Sequence, residues 1–143
     1  MSDARQPPSL LVVDDNELNR LLASSLGESL GFEVHTACDG VEALDVCRRH
    51  APALVLMDVW MPRMNGIDAT QRLRELQHGG EMAHFPILAA TSDASPQSRE
   101  QCLAAGMDGF LAKPLRRSTL LGEMQRVATG LVQGALTEVA QAA

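Results

Sequence analysis

Leu54-Val55-Leu56-Met57-Asp58-Val59-Trp60-Met61-Pro62 is an apolar run interrupted by a single carboxylate. A continuous apolar segment of this length, opening just after Pro52 and closed by Pro62, predicts a strand buried on both faces of a parallel sheet. Asp58 then stands at the carboxyl end of that strand. In open α/β sheets this is the end where ligands gather, and a carboxylate set there against apolar neighbours needs a partner or a task.

Working outward toward the N-terminus, Leu10-Leu11-Val12-Val13 is a second apolar run, and it stops at Asp14-Asp15-Asn16. The spacing of Leu18, Leu21, Leu22, Leu26 and Leu30 then predicts a helix, with Asn16 as its N-cap and Gly31 as its left-handed stop. Glu33 to Ala37 alternates weakly and suits an edge strand. Val41, Leu44 and Cys47 carry a second helix that follows Gly40 and ends before Pro52. Residues 1–8 read as a short disordered lead-in.

Toward the C-terminus, Pro62 to Gly66 is a loop, and Ile67, Leu73 and Leu76 mark a third helix halted by Gly79-Gly80. Phe85 to Thr91 predicts a fourth strand, with Pro86 tolerated near its start. Ser95-Pro96 reads as N-cap and first residue of a helix running through Cys102 and Leu103 to Gly106. Gly109 to Ala112 is a short fifth strand ended by Lys113-Pro114. Ser118 is read as the cap of a last helix through Leu121, Met124, Val127, Ala128 and Leu131, and residues 132–143 as a tail that extends it or frays.

Five strands alternating with five helices predict an α/β protein, a flavodoxin-like doubly wound (βα)5 sandwich on a parallel sheet of order 2-1-3-4-5. Its switch point lies between strands one and three. That topology brings Asp14, Asp15 and Asp58 together, and it sets Thr91 and Lys113 on the same edge of the sheet.

Composition narrows the possible functions. With 143 residues the chain fits a single domain, and 45% hydrophobic against 21% charged residues is ordinary for a globular protein. No apolar run is long enough to span a bilayer, and the first residues lack the apolar stretch of a secretory signal, which predicts a cytoplasmic protein. A net charge of -6, with only Arg48-Arg49 and Arg116-Arg117 as adjacent basic pairs, argues against a nucleic-acid footprint. Cys38, Cys47 and Cys102 show neither disulfide nor zinc spacing and read as small buried hydrophobes. His35, His50, His78 and His84 likewise lack ligand spacing, and the methionines read as gap-fillers.

Three crowded carboxylates repel one another and raise each other's pKa values unless a cation joins them. Mg²⁺ suits such a site because it takes oxygen ligands, often one or two carboxylates together with phosphate oxygens. Lys113 adds a fixed positive charge and Thr91 a hydroxyl donor, which together would neutralise a phosphoryl group. Asp58 becomes the nucleophile, able to form an acyl phosphate.

Asp14-Asp15, Asp58 followed by Met61-Pro62 and Gly66, then Thr91, and finally Lys113-Pro114 form an ordered set. With this set, residues 9–131 resemble the receiver (CheY-like) domain of two-component response regulators. The segment from Ser98 to Gly109 resembles receivers attached to hybrid sensor kinases. The resemblance implies that Asp58 is the phosphoacceptor and that Mg²⁺ is held by Asp15, Asp58 and the main-chain carbonyl of Trp60, with Asp14 acting through water. It further implies that Thr91 and Lys113 contact the phosphoryl oxygens, that the Lys113–Pro114 peptide is cis, and that Phe110 is the switch aromatic. The implied phosphodonor is a phosphohistidine on a sensor histidine kinase or a histidine phosphotransfer protein. The output is a shift of the face built from helix four, strand five and helix five, through which a homodimer could also form.

Plainer readings stand beside these. Asp14 and Asp15 suit a helix cap, Thr91 a loop bond, Lys113 a solvated strand end, and Phe110 a fixed core aromatic. Trp60 either covers apolar surface, shields the acyl phosphate or meets a partner. Two other classes compete: a phosphatase or transferase turning over through an aspartyl phosphate, and a receiver-like interaction module that is never phosphorylated. The first would want an acid two residues past the nucleophile, as in haloacid dehalogenase-type enzymes, where this chain has Trp60. The intact acidic pair, acceptor, threonine and lysine speak against the second.

Overall fold

The computed structural model describes residues 7–127. The expected lead-in up to residue 6, the end of the last helix beyond Val127 and the tail therefore lie outside the described residues. Five strands, β1 (Ser9–Val13), β2 (Glu33–Ala37), β3 (Leu54–Asp58), β4 (Ile87–Thr91) and β5 (Gly109–Ala112), alternate with five helices. These are α1 (Glu17–Ser29), α2 (Gly40–Arg49), α3 (Gly66–His78), α4 (Pro96–Ala105) and α5 (Arg117–Val127). The strands form one parallel sheet in the order β2-β1-β3-β4-β5.

Alternation along the central strands divides the core in two. Leu11, Val13, Val55, Met57, Ile87 and Ala89 face one layer with residues of α2, α3 and α4. Leu10, Val12, Leu54, Leu56, Leu88 and Leu111 face the other, against Ala23 of α1 and Leu120 and Met124 of α5. Both β3 and β4 are buried along their whole length, as a strand covered on both faces requires. Each fully buried leucine contributes roughly 2 kcal/mol of transfer free energy. β2 is partly exposed at the sheet edge.

Local signals set most boundaries. Asn16, Asn65 and Ser95 accept from the backbone N–H groups of Asn19, Asp68 and Ser98, capping α1, α3 and α4. Pro96 opens α4, and Gly106 closes it with a positive φ of 109°.

Five details differ from the sequence expectation. β4 begins at Ile87 because Pro86 has no N–H to give the ladder, although its carbonyl accepts from Val55. α5 begins at Arg117, and the Arg116 carbonyl receives the Leu120 N–H, so Ser118 lies inside the first turn. In α1, Leu18, Leu21 and Leu22 are 63%, 61% and 57% exposed, while the small residues Ala23 and Gly27 take the buried side. Val41 likewise faces outward on α2. Cys47 and Cys102 are buried as expected, but Cys38 is exposed, because it sits in the loop between β2 and α2.

Candidate functional site

The strand registers carry the site residues to one edge. Val13 pairs with Met57, Asp58 with Ala90 and Thr91 with Ala112, so Asp14, Asp58, Thr91 and Lys113 leave the sheet side by side. Carboxylate oxygens of Asp14, Asp15 and Asp58 all lie within 4.8 Å of one another. Asp14 and Asp58 are buried, whereas Asp15 is exposed.

One cation is fixed among them. Lys113 Nζ lies 2.6 Å from Asp14 Oδ2 and 3.3 Å from Asp58 Oδ1. Burial opposes the lysine's charge, but its bond to Asp14 and the attraction of Asp58 prevail, holding the ammonium above its ordinary value. Burial is also the first cause of the shift at Asp58, and the Asp14 charge adds to it. Lys113 opposes both, and the Asp58 carboxyl is pushed up to about 6. Two negative charges therefore remain without a fixed counter-charge in a half-buried cleft.

That imbalance fits a hard divalent cation, since carboxylate oxygens are its preferred ligands and its charge matches the excess. Among the described residues this is the one cluster of three potential metal-ligating side chains so placed. Asp14 is held from its other side too, its Oδ1 accepting from Asn16 N–H at 2.9 Å and its carbonyl from Arg20 at 2.8 Å. The cap of α1 falls to Asn16, so Asp14 does not take the capping role that sequence allowed it, but steadies the turn before the helix while it contacts Lys113.

Thr91 is buried, and its Oγ1 accepts the Asp93 N–H at 3.1 Å, the loop bond of its plainer reading. Its hydroxyl hydrogen is not used by that bond. The Lys113–Pro114 peptide is cis, and Lys113 N–H donates to the Thr91 carbonyl at 2.8 Å. Trp60, two residues beyond Asp58, is 53% exposed. Phe110 stands farther along β5, half-buried, with Arg99 of α4 at 6.0 Å from its ring centroid and its N–H donated to Glu123 of α5. The site's outer supports, Arg20, Asp39 and Arg63, had no signal strong enough to read from sequence. Only Asp39, three residues before Glu42, carried a local one, that of a capping box.

A doubly wound α/β sheet with an acidic cleft and one fixed lysine at its switch point defines a class of protein, one suited to phosphoryl chemistry with a divalent metal. The comparisons with known proteins place it more closely. The family model of the response regulator receiver domain matches residues 10–125. The chain is 42% identical over 120 residues to the sensor histidine kinase RcsC of Salmonella typhimurium, covering 83% of this chain and 12% of that protein. It is 36% identical over 109 residues to the polar-differentiation response regulator DivK of Brucella anthropi, covering 76% of this chain and 86% of DivK. Among solved structures, it is similar to the receiver domain of a sensor histidine kinase from Pseudomonas aeruginosa PAO1. That match has a TM-score of 0.76 and 34% identity, and covers 86% of this chain and 98% of that one. That structure has a magnesium ion coordinated in its active-site cleft.

The chain belongs to the response regulator receiver domain family. It is a receiver domain of two-component signalling, in a family of phosphoacceptors. It spans about an eighth of the length of RcsC but most of the length of DivK.

Proposed function

We propose that Asp58 accepts a phosphoryl group from a phosphohistidine on a sensor histidine kinase or histidine phosphotransfer protein, and that the chain does so in the cytoplasm as a stoichiometric acceptor. The observation that carries this is the cleft's charge, three converging carboxylates against Lys113, with Asp58 the one at the end of a fully buried strand. An Asp58 carboxylate oxygen forms the new bond to phosphorus as the bond from the histidine nitrogen to phosphorus breaks, and the proton balance is completed on the departing imidazole. Lys113 and the Thr91 hydroxyl then take phosphoryl oxygens, for which one supplies charge and the other a free O–H.

Mg²⁺, when held by Asp15, Asp58 and the Trp60 carbonyl with Asp14 acting through water, supplies the positive charge that a transferring phosphoryl group requires. Trp60 occupies the position where a turnover phosphatase of the dehalogenase type would carry its acid, which supports acceptance over turnover.

The donor has a surface to meet. Leu18, Leu21 and Leu22 project from α1, and Leu22 lines an apolar cleft of about 370 Å³ that runs past Leu26 and Leu115 to Asp14 and Lys113. Exposed leucines on the helix that follows the acidic pair, one of them lining a cleft that reaches Asp14 and Lys113, suit a partner that docks and delivers. The opposite readout belongs to the face of α4, β5 and α5, where Phe110 and Arg99 meet, and that face is also the candidate for a homodimer.

Incubation with acetyl phosphate and Mg²⁺ should add one phosphoryl mass to the native chain and none to Asp58→Asn. An unmodified native chain under conditions that phosphorylate a known receiver would overturn the reading.

A further inference from the structure

The loop from Val59 to Asn65 carries the Trp60 carbonyl and leads directly from Asp58 into α3, yet it has no regular structure of its own. Inside the loop, Met64 N–H donates to the Pro62 carbonyl, and Gly66 N–H donates back to the Val59 carbonyl at its end. A side chain at Gly66 would collide with the Asp58 carbonyl, so α3 starts in contact with the acceptor's backbone.

Val59, Met61 and Met64 also pack on the core beneath the loop, and Asn65 caps α3. Its hydrogen bonds to elements other than α3 come from the turn between β2 and α2. Gly40 N–H donates to the Met64 carbonyl at 2.9 Å, and a Cβ at Gly40 would lie 2.6 Å from that oxygen. Arg63 donates Nε at 2.7 Å, and Nη2 as well, to Oδ2 of Asp39. Asp39 is 2% exposed, and its other oxygen accepts Glu42 N–H at the start of α2. Arg63 is the one non-glycine with a positive φ, 67°, among the described residues, a backbone state that L side chains rarely adopt. An arginine whose side chain is largely solvent-exposed is thus held in an uncommon backbone conformation while its guanidinium is anchored on a buried carboxylate.

From this geometry we infer that the Arg63–Asp39 pair is a clamp that positions the Trp60 carbonyl, and so sets the affinity of the cleft for Mg²⁺. The inference rests on the magnesium reading of the site. Both residues are positioning residues, acting through the loop backbone. Outer partners bonded directly to a metal ligand typically alter metal affinity about 10- to 100-fold when removed, and a clamp acting one step further out, through the loop backbone, belongs at the low end of that range. The sign is diagnostic at Arg63, not at Asp39: removing the arginine's charge near a cation site would by electrostatics alone tighten binding, whereas losing the clamp weakens it.

Mg²⁺ titration followed by the emission of Trp60, the chain's single tryptophan, reads the affinity directly. Arg63→Ala is expected to weaken Mg²⁺ about 10-fold. Arg63→Lys should recover much of that loss, because its ammonium can still reach Asp39. Acetyl phosphate labelling at saturating Mg²⁺ should remain within about 2-fold of native for both, separating affinity from chemistry. Asp39→Asn keeps the cap on α2 and is expected to weaken Mg²⁺ as Arg63→Ala does. Unchanged or tighter Mg²⁺ binding in folded Arg63→Ala and Asp39→Asn overturns the clamp. A native chain that neither binds Mg²⁺ nor accepts phosphoryl would instead overturn the proposed function.

Discussion

The two ends of the sheet handle buried charge in opposite ways. At the amino ends of β4 and β5, Arg74 of α3 donates to the carbonyls of Gly106 and Phe85, to Gln77 and to Asp108, all within 3.0 Å. Asp108 in turn accepts Ile87 N–H at 2.8 Å. Charge and hydrogen bonds balance there, and the result ties α3 to the start of two strands. At the carboxyl ends, Asp14 and Asp58 share Lys113 as their fixed cation with Asp15 beside them, and the Asp58 carboxyl is pushed up to about 6. One end uses buried charge as a fastener, and the other leaves it unbalanced, which creates the demand for a metal and a phosphoryl group.

Cutting the fastener should have the largest effect on stability. Arg74→Ala leaves Asp108 without its cation and the Gly106 and Phe85 carbonyls without the arginine's bonds, and urea unfolding should show a loss of about 3 kcal/mol. If that end is structural alone, folded Arg74→Ala still labels with acetyl phosphate at the native rate. A variant that stays stable but stops accepting would break the contrast.

Removing charge at the other end should do the reverse. Native Asp58 holds its proton more tightly than the unfolded chain, whose carboxyl titrates near 3.8. Ionising it therefore costs stability as pH rises from about 4 to about 6, and above that the cost is present in full. Asp58→Asn should stabilise the metal-free protein at pH 7 by about 1–3 kcal/mol, and by little at pH 4. Mg²⁺ should narrow the gap between variant and native. Equal stability of the two metal-free proteins across that range would contradict the assigned imbalance.

The smallest effect belongs to the surface beside β5. Arg99→Ala removes the guanidinium above Phe110 and should cost below about 1 kcal/mol. Its use is to sharpen the comparison, since it should alter the Phe110 ring environment, seen by NMR, with Mg²⁺ affinity unchanged.

How much of this was legible in the sequence follows from the same physics. β1 and β3 each carry a carboxylate where the strand ends, so the cleft could be read from Val13-Asp14 and Met57-Asp58 once the alternation of strands and helices had set the two strands side by side. The inward face of α1 could not. Leucine spacing marks an apolar stripe but not whether it meets the core or a partner, and here Ala23 and Gly27 pack inward while Leu18, Leu21 and Leu22 remain outside. The Arg63–Asp39 pair was equally hidden, because it depends on one left-handed backbone and on two loops brought together by the sheet.

The most direct test of the charge account is the titration of the Asp58 carboxyl by ¹³C NMR, with and without Mg²⁺. A midpoint near 6 is expected in the metal-free protein, displaced well downward when Mg²⁺ is added. A midpoint at the ordinary carboxylate value in both conditions would contradict it.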